Sequence, residues 1–228
     1  MSQHQVRTED KNFKTVLATF LANNRVPFMV IAAVVVVLVI GVGIYTYVHQ
    51  NRVQQSAVAA ERLQTLFADW QDAEDEEKDE LAEEISAAGE ETMADFSGMY
   101  AAARARLILG RLAYAQSEYS TAIDHFTELI DSQPKSYLAP VALMHIAVAQ
   151  EKAGEYEKAI DTYQRVREKY SDTFPEVAHA LFSIGRLYET IEDREAALQA
   201  YNEVVDDFSS SNWTNLARDR IIYLETIN

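Results

Sequence analysis

Five histidines, at positions 4, 49, 125, 145 and 179, are the chain's first candidates for metal or acid–base chemistry. A helical metal site needs ligands about a turn apart, and none of the five completes a recognised spacing such as His-Glu-x-x-His. No Gly-rich phosphate loop and no Gly-x-Ser-x-Gly nucleophile elbow is present, and the chain holds only seven Gly. Carboxylates are plentiful, but plenty in an acidic helical chain does not pair a general acid with a base. There is no Cys, which excludes disulfides, thiolate metal sites and a lipid-modified Cys anchor, and says nothing about redox compartment. These residue types indicate no enzyme, no metal and no cofactor, and leave binding as the chemistry to explain.

The elements that would position a binding surface appear as a repeat. Gly110, Ala122 and Phe126 recur as Ala147, Ala159 and Tyr163, and again as Gly185, Ala197 and Tyr201. In each copy an Ala follows the first small residue by 12 positions and an aromatic follows it by 16, and the copies are offset by 37 and then 38 residues. A small residue lets a second helix approach closely, and the aromatic fills the space beside it. A period of this length is a helix–turn–helix unit that must stack on its neighbours to bury its apolar face. Thr173 and Glu176 have capping-box spacing, and Pro140 and Pro175 suit a first helical turn.

Leu109-Gly110, Ile146-Ala147 and Ile184-Gly185, with the Ala, the aromatic and Pro134 downstream, resemble the tetratricopeptide repeat. The copies here are a few residues longer than that family's period of about 34. The resemblance implies that first helices line a binding groove. Carried copy by copy onto this chain, one groove position is Leu107, Met144 and Phe182. A second is Arg111, Val148 and Arg186, and Arg104 and His179 share a third. Such a strip, apolar with Arg at either end, suits an extended peptide with hydrophobic and acidic side chains. Packing on neighbouring helices is the equally weighted reading of these side chains. In this frame His125 falls on a second helix, and His145 and His179 on first helices, as surface or groove residues rather than ligands.

Phe28 to Val48 is a run of 21 residues with no charge, dominated by Val, Ile, Leu and Ala. About 20 apolar residues cross a bilayer as a helix, and Tyr45 and Tyr47 fall where an interfacial aromatic belt belongs. Ala57-Val58-Ala59 offers a small-x-small signal cleavage site, but the apolar run exceeds a signal core and the site lies far beyond its end. The run is therefore expected to be an uncleaved anchor. Arg7, Lys11, Lys14 and Arg25 precede it, while only Arg52 and Arg62 follow closely, which places the N-terminus in the cytoplasm and the remainder across the membrane. Of the 36 acidic residues 34 lie after position 48, with 16 of the 20 basic ones, a net charge of −18. That charge repels phosphate backbones and argues against nucleic acid as a partner.

No Gly or Pro stands between Gly43 and Gly89, which permits a long or barely broken helix out of the membrane. Val53, Ala57, Ala60, Leu63, Leu66, Phe67 and Trp70 give it an apolar stripe for the first helix of the solenoid. Asp69 to Asp95 holds thirteen acidic residues and one Lys, read as a solvated face. Leu81, Ala82 and Ile85 mark a second, irregular helix there. Trp213, Leu216, Ala217, Ile221 and Leu224 form a terminal helix that Asn212 or Ser211 can cap. Phe13, Val16, Leu17, Phe20 and Leu21 form an amphipathic face before the membrane, suited to the inner leaflet; a cytosolic partner is the alternative.

The expected fold is all-α. A cytoplasmic segment at 1–26 precedes a transmembrane helix at 27–49 and a neck with an irregular first helix pair at 50–100. Three tetratricopeptide-like repeats at 101–209 and a capping helix at 210–228 follow. In this layout, with Asn23-Asn24 before the span, the chain resembles the YfgM-like ancillary subunits of the Sec translocon. That resemblance implies an inner-membrane anchor, repeats in the periplasm, and as partners the Sec translocon, a membrane-anchored periplasmic chaperone and secretory chains. A scaffold for envelope assembly or cell division is the rival reading.

Overall fold

The computed structural model describes residues 3–226, with side chains from residue 13. Its elements there are α-helices: α1 (Gln3–Asn23), α2 (Arg25–Asp72), α3 (Asp75–Asp95), α4 (Tyr100–Ala115), α5 (Tyr119–Ser132), α6 (Leu138–Lys152), α7 (Tyr156–Tyr170), α8 (Val177–Thr190), α9 (Arg194–Asp207) and α10 (Asn212–Thr226). The chain divides into two compact units, Met1–Gln55 and Ser56–Asn228, and α2 has residues in both. Arg7 and Lys11, used above in the charge argument, and Ser2 have side chains outside the described residues.

In the first unit α1 and α2 are separated at Asn24 alone. Pro27 has no N–H to donate back to Asn23, so the helical ladder breaks there, and the Asn24 side-chain amide donates to the Phe20 carbonyl at 2.9 Å. Phe13, Val16, Leu17, Phe20 and Leu21 are exposed, as is every residue from 28 to 48. Of the described helices, α2 alone is long and apolar enough to cross a membrane. None of its most apolar stretch is buried, which excludes the core helix of a soluble domain.

In the second unit each helix from α3 to α10 packs on the next, and α4 also touches α6, as α8 touches α10. The pairs α4/α5, α6/α7 and α8/α9 are the three repeats. Their small–aromatic signature is a steric contact. A Cβ built on Gly110 would lie 2.5 Å from the Phe126 ring, and one on Gly185 would lie 2.6 Å from Tyr201. Ala122, Ala147, Ala159 and Ala197 are fully buried between the helices. The turns repeat as well. Ser117, Gly154 and Glu192 hold φ of 65°, 78° and 65° at the same place in three copies. In each, the following N–H reaches five residues back, as from Glu118 to the Ala113 carbonyl at 2.8 Å, which closes a Schellman motif.

Several sequence expectations need correction. α8 begins at Val177 with no side-chain cap, so Thr173 and Glu176 form no capping box. A side-chain cap does form on α9, where Asp193 accepts from the Ala196 N–H at 3.0 Å. The acidic segment α3 is a regular helix of 21 residues whose Ala82, Ile85, Ala88, Gly89 and Thr92 are buried. Its small residues allow close approach to α4, since a Cβ on Gly89 would meet Leu109 at 2.9 Å. On α2 the buried stripe is Ser56, Ala60, Leu63 and Phe67, while Val53 and Ala57 are exposed. On α10 Leu216 faces solvent at 47% exposure, and Thr214 takes the buried place. Ser211 accepts from the Trp213 N–H at 3.3 Å, so of the two candidate caps it is the one engaged.

Candidate protein-binding groove

The eight groove candidates all lie on the first helices α4, α6 and α8. Their surroundings differ along the row. On α8, His179 stacks on the Trp213 indole with ring centroids 4.1 Å apart and planes 2° from parallel. Phe182 meets both Trp213 and Tyr201, at 5.1 and 5.3 Å. A cleft of about 440 Å³ opens beside it, lined by Phe182, Arg186, Glu189, Thr190, Tyr201 and Arg220. Phe182 and Arg186 thus share one cleft, while α10 covers His179.

On α6, Met144 is only 9% exposed and belongs to the core that joins the second and third repeats. Val148 is half-buried against the same core. Leu107 on α4 is half-buried against the α4–α5–α6 core. The apolar strip is therefore interrupted at its centre, with Phe182 the member that reaches a cleft.

On α4, Arg104 donates to the Tyr100 hydroxyl at 2.8 Å and to the Gln64 side-chain carbonyl on α2 at 2.7 Å. Tyr137 stacks on Tyr100 at 5.7 Å and donates to the same hydroxyl. Arg111 lies over the Phe67 ring at 4.6 Å. Burial and the charge of Arg104 hold its guanidinium below the ordinary arginine value. His145, stacked on Phe126 at 5.1 Å, is pushed down to about 4 by burial and by Arg111, so the ring is neutral near pH 7.

Sequence reasoning missed a repeated polar triad. Tyr163 donates to Glu151 at 2.7 Å and Arg186 donates to the same carboxylate. Tyr201 and Arg220 engage Glu189 in the same way. Each triad ties one repeat to the helix that follows it, α8 in the first case and α10 in the second. Burial alone would raise Glu189, but the bonds from Arg220 and Tyr201 outweigh it and leave the carboxyl below its ordinary value. Tyr163 and Tyr201 are both raised, chiefly by burial. The signal was present in the sequence, since a Glu precedes each Tyr by 12 positions in two copies, whereas the first copy pairs Phe126 with Tyr114. Among the described residues no three His, Asp or Glu side chains converge as a metal set.

Antiparallel helix pairs in register, joined by small–aromatic contacts and presenting one row of first helices, define a helical-repeat scaffold for other proteins. The profile of the Tetratricopeptide repeat-like domain matches residues 19–224, and the chain belongs to that family, a scaffold family that is typically non-enzymatic. A TPR repeat-containing protein of Treponema pallidum (strain Nichols) is 29% identical over 123 residues, 54% of this chain and 51% of that protein. The small glutamine-rich tetratricopeptide repeat-containing protein 2 of Mycosarcoma maydis is 29% identical over 42% of this chain and 28% of its own length. The chain therefore matches about half or less of these curated relatives. Among solved structures, the kinesin light chain TPR-like repeats of Podosopora anserina superpose with a TM-score of 0.59 at 13% identity, over 72% of this chain and 86% of that one. A tetratricopeptide repeat protein of Parabacteroides merdae gives 0.55 at 20% identity, over 73% and 60%. At such identities the likeness is one of fold.

Proposed function

We propose that this protein is a membrane-anchored tetratricopeptide scaffold that serves the Sec translocon, linking it to a periplasmic chaperone and to emerging secretory chains. The observation that carries the reading is the combination of a fully exposed apolar stretch in α2 with a repeat domain whose first-helix row opens a cleft at Phe182 and Arg186. An anchor restricts the repeats to one membrane, and a cleft with an aromatic wall and a rim of paired charges suits segments of partner proteins. Residues 28–48 form the anchor, and the basic residues before them keep the N-terminus in the cytoplasm. The first unit's exposed apolar face at Phe13, Val16, Leu17, Phe20 and Leu21 lies on the inner leaflet. The groove comprises Arg104, Leu107, Arg111, Val148, Phe182 and Arg186, with His179 beneath Trp213 and Met144 supporting it from the core.

Affinity purification of the full chain after gentle detergent extraction tests this reading. Translocon subunits and a membrane-anchored chaperone should be enriched over an unrelated single-span protein. Recovery of envelope-assembly or division proteins without them would favour the rival scaffold role.

A further inference from the structure

A recess of about 120 Å³ opens between the second helices α7 and α9, and none of the eight groove candidates lines it. Its floor is Leu181 and Ile184 of α8 with Ala200 of α9, all buried, and Ala196 stands beside them. Arg167 of α7 and Glu203 of α9 also line it and pair with one another. The repeat shows why it is open. The Arg167 position is Ile130 one copy earlier and Val205 one copy later, by the offsets of 37 and 38 that relate Phe126, Tyr163 and Tyr201. Ile130 and Val205 are both half-buried against the neighbouring cores, whereas Arg167 turns to Glu203. In the earlier copy the counterparts of Ala200 and Tyr188 are Thr162 and Gln150, which hydrogen-bond at 2.8 Å, and Lys158 stands where Ala196 does. Between α7 and α9 the apolar filler, the hydrogen bond and the longer side chain are all missing, so an apolar floor is left uncovered.

We propose that this recess is a docking site for one aliphatic side chain on an extended segment of a partner protein. The chain itself shows what fits, because where it closes the equivalent place from within it uses Ile130. The size agrees, since an engineered cavity left by one Leu side chain is about 150 Å³. Gln164 and Gln199 complete the lining, and among the described residues neither amide has a hydrogen-bond partner. A carboxamide offers a donor and an acceptor, as a peptide unit does, so the two hold the main chain of the segment while its side chain enters. Main-chain bonds for affinity with a side-chain pocket for selectivity are the means by which folded domains take extended peptides. The site belongs to the second-helix side, so a partner bound there leaves the first-helix groove free.

Disulfide tethering on the full chain in neutral-lipid nanodiscs tests the site, because the chain has no Cys of its own. The exposed Glu195, one turn before Gln199, is changed to Cys, and the end-blocked tripeptides CGL and CGN compete for it in 2-mercaptoethanol. The Leu peptide should be taken about tenfold more often, since an aliphatic side chain is buried in one adduct only. R167I/E203Q, which copies Ile130 and relieves Glu203 of its lost partner, should remove that preference without lowering the thermal midpoint. R167K should keep it. Should the double variant unfold, Ala196→Leu fills the recess from the other wall and repeats the test. Glu157→Cys, the counterpart of Glu195 in the copy that Ile130 closes, should show no preference. Equal capture of both peptides at Glu195→Cys, or a preference that survives filling of the recess, would overturn the site. Disulfide-linked dimers of Glu195→Cys that R167I/E203Q prevents would give the recess to a second copy and overturn the partner segment. None of these outcomes bears on recovery of translocon subunits with the full chain, so the two readings fail separately.

Discussion

Gly185 lies so close to Tyr201 that a Cβ added to it would stand 2.6 Å from the ring. Gly110 and Phe126 stand in the same relation one end of the array away, at 2.5 Å. The two positions are 16 residues apart in every copy, so one contact closes each helix pair. Overpacking a filled core typically costs about 1–3 kcal/mol. Gly185→Ala should therefore lower the thermal midpoint of the full chain in detergent, and Ala159→Leu, at a fully buried site, should do so too. Wild-type melting in both variants would refute the repeat register.

The turns supply a prediction of opposite sign. Glu192 holds a left-handed φ of 65° that costs a non-Gly residue about 1–2 kcal/mol. Glu192→Gly should raise stability by up to about 1 kcal/mol after its own entropy cost. Gly154→Ala, at φ 78°, should lower it by a similar amount. Denaturant midpoints compare the two directly.

How much of this was legible in the sequence follows from what each feature depends on. The small–aromatic contacts were readable because Gly, Ala and the aromatics are rare choices that recur at fixed spacing. The equivalence of Ser117, Gly154 and Glu192 was hidden, since only one of the three is Gly. The α10 face was misread at Leu216 because an apolar residue on a short end helix is not obliged to be buried. Met144 shows the limit for the groove. A family position gives the helix face, but burial depends on how neighbouring side chains fill the space, and here the α6 residue went into the core.

His145 predicts a pH dependence. Its folded value is about 4 against an ordinary 6.5, so the folded state binds fewer protons between those values. Stability then rises with pH across that window and is lost as pH falls from about 6.5 toward 4, by on the order of 3 kcal/mol. His145→Gln should remove this component from stability measured between pH 7 and 4. An unchanged pH profile would mean the ring is not held neutral.

Membrane topology can be read cleanly because the chain has no native Cys. Single Cys residues at Ser2 and Ser210 should respond oppositely to an impermeant thiol reagent on cells with a permeabilised outer envelope. Ser210, in the exposed turn before α10, should label and Ser2 should not. Labelling at Ser2 alone would invert the orientation.

The most direct measurement is photo-crosslinking in living cells from Phe182, which lines the cleft between α8 and α10. A photoreactive phenylalanine analogue there should capture a translocon-associated chaperone or a secretory chain in transit. Arg186→Glu should weaken that capture by breaking the pair with Glu151 and leaving the rim net acidic, while Met144 is left alone because it supports the core. Capture of cell-wall or division proteins with no secretory component, or capture unaffected by the cleft substitution, would contradict the proposed role.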